Sequence, residues 1–187
     1  MKNVLILLTS FMIFLIAASG GAATGPEIIG PHLNILDNNI IVNTHVKNVA
    51  ELESHIKSGV DKAVIFTIEL LRVWMFWPDE FVVSKRIERV VRYDNLRDQF
   101  LVSSFDGITR SDRYFADYEP AKDWIFTVRD VNLAHVKELD PGTYYIRIVL
   151  ESKSLEQLPL IGFLMHVIPE VEMSLARESE PFLIRYN

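Results

Sequence analysis

The sequence predicts a mainly β, α+β protein: an antiparallel β-sandwich-like fold with one or two short helices packed on it, after an N-terminal export signal. Three observations predict this fold. About seven short segments alternate apolar and polar residues with the period of two that strands require, turn residues separate them, and only one or two stretches have helical spacing. A parallel α/β sheet is the weaker alternative, because the helices are too few and the strands follow one another directly.

The N-terminal segment has the order of features that an export signal requires. Lys2 supplies a positive charge, residues 4–18 form an almost unbroken apolar run, and small residues follow up to Ala23. We expect cleavage after Ala23 or Gly20, so residues 1–23 are a signal peptide and the mature protein is periplasmic or secreted. The alternative is an uncut anchor that tethers the protein to the inner membrane by residues 4–18, although a bilayer span needs roughly 20 apolar residues.

Length and charge limit what the mature protein can be. The chain has 187 residues, a length that fits one domain, and we expect a linker over residues 24–32 and a single β-rich domain over 33–187. Without Lys2, 18 basic residues face 25 acidic ones, a net charge of −7, so nucleic acid is a poor partner. The chain has no cysteine, so the core forms without disulfides and a cysteine-linked lipid anchor is excluded.

The first part of the mature chain predicts an extended segment and then a helix. Residues 33–46 are extended, with a turn at 37–39. Asn48 is the expected N-cap of a short helix, because Glu51 follows it at capping-box spacing, and Gly59 is expected to end that helix. The helix has one apolar stripe and must lie on a sheet; the stripe is Val49, Leu52 and Ile56.

The central part predicts strands over residues 60–73, 81–93 and 99–104. In the first strand, one fully apolar face indicates a covered side of the sheet. The second and third strands are joined by the short polar link 94–98 and form a hairpin, and Asp106-Gly107 is expected to end that unit. The apolar face consists of Val64, Phe66, Ile68 and Leu70.

The last part of the chain predicts one helix and three strands. Residues 111–124 fit a short helix whose second half Pro120 breaks, and residues 125–128 fit a short strand. A turn at 140–142 leads into the strand 143–152, and residues 182–186 form a closing strand. The stretch 158–171 is apolar but too short and too interrupted by Pro and Gly to span a bilayer. The core face of strand 143–152 consists of Tyr144, Ile146, Ile148 and Leu150.

Seven segments of the mature chain resemble one known bacterial family. They are Ser58-Gly59-Val60, Phe66-Thr67-Ile68-Glu69-Leu70, Arg72, Trp77-Pro78-Asp79-Glu80, Arg89-Val90-Val91-Arg92-Tyr93, Leu96-Arg97-Asp98-Gln99-Phe100-Leu101-Val102 and Leu139-Asp140-Pro141-Gly142-Thr143-Tyr144-Tyr145. In these motifs the chain resembles the family called domain of unknown function 4390. The resemblance implies an exported or membrane-tethered protein without an assigned activity. Genes of the family often lie near a nitrogen-type sensor kinase, which implies a membrane sensor as a partner.

The residues that could carry catalysis or bind a metal form no recognisable set. A zinc site needs converging N, S or O ligands, usually with one close pair, and the histidines have no i,i+2 or i,i+4 pair. No serine elbow or phosphate-binding glycine loop occurs. Asp79 and Glu80 are neighbours on an extended segment and point opposite ways, so we expect turn residues, not an acid–base pair. We therefore expect no catalytic, metal or cofactor site. The histidines are His32, His45, His55, His135 and His166.

One cluster of basic residues lies along the first strand of the predicted hairpin and in the link after it. It could bind an anion or a lipid headgroup, or its members could pair across strands with Glu69, Glu88 or Asp98. We favour pairing, because alternation puts Arg86 and Arg92 on the face opposite to Arg89. The cluster consists of Lys85, Arg86, Arg89, Arg92 and Arg97.

The loop between the first two central strands carries the candidate interaction surface, which consists of Trp74, Phe76, Trp77 and Asp79. Its aromatic side chains either plug the end of the sandwich, form a protein contact surface or form a carbohydrate platform. We expect a non-enzymatic binding or interaction module of the cell envelope. Its expected partner is an envelope or membrane protein. The protein itself would contact the membrane only through an uncut N-terminal segment. The alternative is a small envelope hydrolase that acts on a cell-wall or surface polymer.

Overall fold

The computed structural model describes residues 25–49, 52–155 and 171–185. Antiparallel strands account for most of these residues, and two short helices accompany them, which confirms the predicted fold class. No helix in the described ranges is long and apolar enough to cross a membrane. The elements are β1 (Glu27–Leu36), β2 (Asn39–Lys47), α1 (Glu53–Lys57), β3 (Asp61–Arg72), β4 (Glu80–Asp94), β5 (Gln99–Phe105), β6 (Arg110–Phe115), α2 (Tyr118–Phe126), β7 (Thr127–His135), a 3₁₀ turn (Val136–Glu138), β8 (Gly142–Leu155), β9 (Val171–Glu178) and β10 (Phe182–Ile184).

The strands form two sheets. A three-stranded sheet has the order β1-β2-β7, and a seven-stranded sheet has the order β10-β8-β3-β4-β5-β6, with β9 also paired to β8. Because β9 pairs with one half of β8 and β10 with the other, the two short strands lie along the same edge. One hydrophobic core joins residues of both sheets and of both helices.

The centre of the large sheet is β3, which lies between β4 and β8. Phe66 faces Ile87 on one side and Leu150 on the other, and Ile68 faces Ile148. The residues predicted to face the core are buried on β3 and β8 alike, which confirms the period-two pattern. From the small sheet, the core receives Ile28, Ile40, Val42, Val46, Val128 and Leu133.

The turn predicted at 37–39 joins β1 to β2. Asp37 and Asn38 have φ angles of 49° and 63°, a left-handed conformation that Asn and Asp tolerate better than most residues. The hairpin is longer than expected, since β1 begins at Glu27. Most of the predicted linker 24–32 is therefore strand.

The predicted N-cap of the first helix is wrong. Asn48 has a φ of 56° and follows the end of β2, whereas α1 begins at Glu53 with Leu52 in the N-cap position and no side-chain cap. The Leu52 amide donates instead to the Tyr118 hydroxyl at 3.3 Å, a contact from a distant helix that local spacing cannot reveal. Gly59, with a φ of 96°, ends the helix as predicted.

The helix predicted over residues 111–124 is wrong in its first half. Residues 110–115 form β6, because Asp106 accepts backbone hydrogen bonds from Ile108 (2.9 Å) and Thr109 (2.7 Å) and so builds a tight turn after β5. Asp106-Gly107 therefore continues the unit instead of ending it.

Pro120 does not break a helix. It lies in the first turn of α2 (Tyr118–Phe126), where a proline removes no intrahelical hydrogen bond. Residues 125–126 form the end of this helix. The strand predicted over residues 125–128 therefore begins only at Thr127. Two predictions concern the end of the chain. Most of the apolar stretch 158–171 lies outside the described residues. The closing strand predicted over residues 182–186 is confirmed over residues 182–184, which form β10.

A buried arginine joins the large sheet to the end of α2. Arg89 Nη1 donates to the carbonyl oxygens of Trp124, Ile125 (3.1 Å) and Thr127 (2.7 Å), and its guanidinium lies 4.4 Å from the centroid of the Trp124 ring. Burial, followed by repulsion from Arg113 and Arg129, lowers the pKa of Arg89 to about 10. The side chain therefore stays charged at neutral pH and caps the negative end of the helix dipole.

We predict that Ile146→Ala and Arg147→Ala have unequal effects. Ile146 is fully buried, so its truncation is expected to lower the free energy of unfolding by about 2–5 kcal/mol. Arg147 lies on the outer face of the sheet and pairs with Glu69 at 2.7 Å. The guanidinium remains partly in contact with water, so its loss is expected to cost about 1 kcal/mol or less. Urea denaturation of the two variants measures the difference, and equal losses would contradict the strand register.

We also predict that Arg89→Met destabilises the fold by about 2–4 kcal/mol, because it leaves carbonyl groups at the end of α2 without donors. Arg86→Met is the matched control. Arg86 lies on the same strand and is exposed, with Glu88 as its partner at 3.4 Å, so its loss is expected to cost about 1 kcal/mol or less. Thermal or urea unfolding compares them, and a harmless Arg89→Met would show that the cap does not stabilise the helix.

Candidate functional site

The β3–β4 loop, residues 73–79, projects three large apolar side chains into solvent. Met75 is 85% exposed, Phe76 88% and Trp77 77%. Of the three roles considered for these aromatic side chains, the plug does not hold for Phe76 and Trp77, because they point away from the core. The sequence analysis singled out Phe76 and Trp77 but missed Met75. Its position between Trp74 and Phe76 could have indicated that it belongs to the same exposed surface.

Asp79 holds the two ends of this loop together. Its carboxylate accepts one hydrogen bond from the backbone N–H of Trp74 at 3.3 Å and a second from the Tyr145 hydroxyl at 3.1 Å. The indole N–H of Trp74 donates to Glu80 at 3.1 Å. Asp79 lies in the loop, as expected, whereas Glu80 is the first residue of β4. Both carboxylates accept hydrogen bonds from Trp74 and so orient it.

Arg72 fixes the base of the loop to the turn before β8. Its Nη2 donates to the carbonyl of Pro141 at 2.9 Å, its Nη1 lies 3.5 Å from Asp140 and 3.9 Å from Glu80, and its guanidinium lies 4.5 Å from the centroid of the Trp74 ring. This last distance is within the range of a cation–π interaction.

A glycine in that turn makes room for Arg72. A Cβ atom added at Gly142 would lie 2.9 Å from Arg72 Nε, a distance that would force the guanidinium to move. The Tyr144 hydroxyl also donates to the carbonyl of Asp140 at 2.7 Å. The turn at 140–142, predicted from its Asp-Pro-Gly sequence, thus supports the neighbouring loop.

The apolar surface continues from the loop onto the outer face of the large sheet. Phe81, the β4 partner of Leu71, is exposed, whereas Leu71 itself is buried between Phe81 and Tyr145 on β8. Burial, and then the hydrogen bond to Asp79, raise the pKa of the Tyr145 hydroxyl. Tyr145 therefore remains a hydrogen-bond donor at neutral pH.

The charged groups that contact the base of the loop are mainly acidic. The carboxylates of Glu80 and Asp140 lie 3.9 and 3.5 Å from one guanidinium, that of Arg72, and a third carboxylate, that of Asp79, accepts the backbone N–H of Trp74. Glu80 and Asp140 are largely exposed. The site is therefore an apolar tip above an acidic base.

The basic cluster predicted along β4 does not converge. Arg86 pairs with Glu88 at 3.4 Å, Arg92 with Asp61 at 3.6 Å and Arg97 with Asp94 at 4.0 Å. Two predicted partners are engaged elsewhere, since Glu69 binds Arg147 and Asp98 accepts a hydrogen bond from Tyr93. Arg86, Arg92 and Arg97 thus form ion pairs, but only Arg92 pairs across strands, with Asp61 on β3. Glu88 is the one predicted partner that is used, and it lies on the same strand as Arg86, whereas Arg89 is buried.

The polar residues elsewhere are dispersed. Within the described ranges, no group of three or more His, Asp or Glu residues could hold a metal ion. A shallow cleft between β2 and α2 contains His45, Asp123 and Thr127, but Asp123 accepts a hydrogen bond from Thr127 at 3.3 Å and pairs with Arg129 at 3.6 Å. The β3–β4 loop therefore remains the strongest candidate site.

Comparison with known proteins yields one finding. A protein-family model described as "Domain of unknown function (DUF4390)" matches residues 23–165, a range that includes β1 to β8 and the whole β3–β4 loop. No curated protein and no solved structure matches the chain. The last two strands, β9 and β10, lie beyond the matched range.

We predict that Arg72→Ala loosens the loop. Without the guanidinium, the loop loses its bond to Pro141 and its stacking on Trp74, so chymotrypsin is expected to cut after Phe76 roughly 5–30 times faster, the ratio for about 1–2 kcal/mol of local opening free energy. Arg86→Ala, which removes an exposed pair on β4, is the control and should leave the rate unchanged. Equal cleavage of all three proteins would show that Arg72 does not order the loop.

Proposed function

Because the chain belongs to DUF4390, a family whose function is unknown, its role must be argued from its own surface, and we propose that it is an exported, non-enzymatic interaction module of the bacterial envelope. The contact surface is the β3–β4 loop with Trp74, Phe76, Trp77 and Asp79. One observation carries the proposal: Met75, Phe76 and Trp77 are almost fully exposed on a loop whose base is held by Arg72 and Asp79.

The energetics of this loop favour binding. Burying a large apolar side chain gains about 1.5–3 kcal/mol, and here three consecutive side chains forgo that gain in the isolated chain. Contacts at the base order the loop before any partner arrives, which lowers the entropic cost of association. Tryptophan is among the residues that contribute most to protein interfaces.

Export supplies the setting for this interaction. Residues 1–23 have the charge, apolar run and small residues of an export signal, and the family match begins at residue 23, at the predicted cleavage site. We propose an envelope or membrane protein as the partner, with a membrane sensor as the class that the family resemblance suggests. The net charge of −6 and the acidic base of the loop argue against nucleic acid.

A photo-crosslinking experiment tests the loop. A photoreactive amino acid replaces Phe76 in the full chain, which is expressed in its native bacterium. Matched controls carry the same amino acid at Leu96, 98% exposed, and at Ile108, 90% exposed, which lie at the tips of other hairpins. We expect discrete protein adducts from position 76 and none from the controls, with the protein recovered outside the cytoplasm.

Two results would contradict the proposal. The same adducts from all three positions, or none from position 76, would show that the loop is not the contact surface. Recovery of the uncleaved chain in the cytoplasm would exclude an envelope role.

A further inference from the structure

The carboxylates around the β3–β4 loop restrict the kind of surface that the loop can enter. We propose that the exposed tip docks into an apolar cleft of a protein whose rim carries lysine or arginine side chains. This inference rests on the proposed function and adds the chemistry of the partner.

The base of the loop keeps an excess of negative charge. Two carboxylates at the base, those of Glu80 and Asp140, share one cation. Within the described ranges only Arg72 contacts them, and its Nη1 lies 3.5 Å from Asp140 and 3.9 Å from Glu80. Both distances exceed those of a short charge-assisted hydrogen bond. A partner that covers the tip also takes water from Glu80 and Asp140, and a buried carboxylate is tolerated only when cations or hydrogen-bond donors replace that water.

The same charges make two other occupants unfavourable. An anionic bilayer surface would repel the carboxylates of Glu80 and Asp140 at the base of the loop. A second copy of this chain that used the same face would place Glu80 and Asp140 near their own counterparts, and like charges across an interface are costly. A cleft with a cationic rim satisfies both the apolar tip and its acidic base.

Neutralising the base while keeping its shape tests the inference. The double variant Glu80→Gln and Asp140→Asn retains side chains that can accept the bonds of Trp74 and Arg72. The mature protein, with the photoreactive group at position 76, is mixed with envelope membranes of the native bacterium in 50 and 500 mM NaCl. The control double variant is Glu88→Gln with Asp112→Asn, which neutralises two carboxylates that pair with Arg86 and Arg110.

We expect the Glu80/Asp140 variant to lose crosslinking about fivefold or more at low salt, because exposed charges attract a complementary rim most strongly there. High salt should lower the yield of the unaltered protein to that of the variant. The control variant should crosslink like the unaltered protein. Thermal unfolding of each variant checks that it is folded. The proposal is supported only if the crosslinking yield depends on these two carboxylates and on salt; capture of a protein alone does not support it.

The possible failures are distinguishable. If Trp77→Ser abolishes crosslinking but the Glu80/Asp140 variant does not lower it, the cationic rim is wrong and the interaction module stands. If the unaltered protein floats with protein-free phosphatidylethanolamine–phosphatidylglycerol vesicles, or if position 76 crosslinks to lipid, a bilayer is the occupant and the inference is overturned. If position 76 forms no adduct at all, the proposed function fails with it.

Discussion

A buried arginine connects the two sheets at the point where α2 passes into β7. Arg89 projects from β4 of the large sheet, and its guanidinium donates to carbonyl groups at the end of the helix and the start of the strand. The last carbonyl groups of any helix lack partners within it, so an apolar residue here would leave them buried and unbonded. Because β7 pairs with β2 and β2 with β1, this junction and the shared core together position the small sheet.

The strands β3 and β4 carry one structural arginine on each side of the molecule. Arg89 lies towards the helix-covered end and contributes stability, whereas Arg72 lies at the opposite end and orders the β3–β4 loop. Both guanidinium groups stack on a tryptophan and donate to backbone carbonyls. The sheet between them supports the loop, from which Met75, Phe76 and Trp77 project into water.

Sequence reasoning succeeded where the evidence was local. Alternation along β3 and β8 identified the residues that face the core, and the turns at 37–39 and 140–142 followed from residues that favour tight turns. It failed at Asn48 and over residues 111–115, where contacts with other elements decide the outcome. The Tyr118 hydroxyl, 66 residues away in the chain, satisfies the Leu52 amide, and pairing with β5 makes a strand of residues 110–115. Propensity is a weak guide when tertiary pairing opposes it.

By itself, the sequence determined the strand pattern, the core faces, the family resemblance and the aromatic composition of the β3–β4 loop, because each depends on residue type and short-range spacing. Only the tertiary structure decided that Arg89 is buried while Arg86 and Arg92 stay at the surface, and that the aromatic side chains project outward. Alternation assigns residues to two faces of a strand but does not say which part of a face another element covers. That depends on the end of α2 and the first residue of β7, whose carbonyls meet Arg89 across 35 to 38 residues of chain.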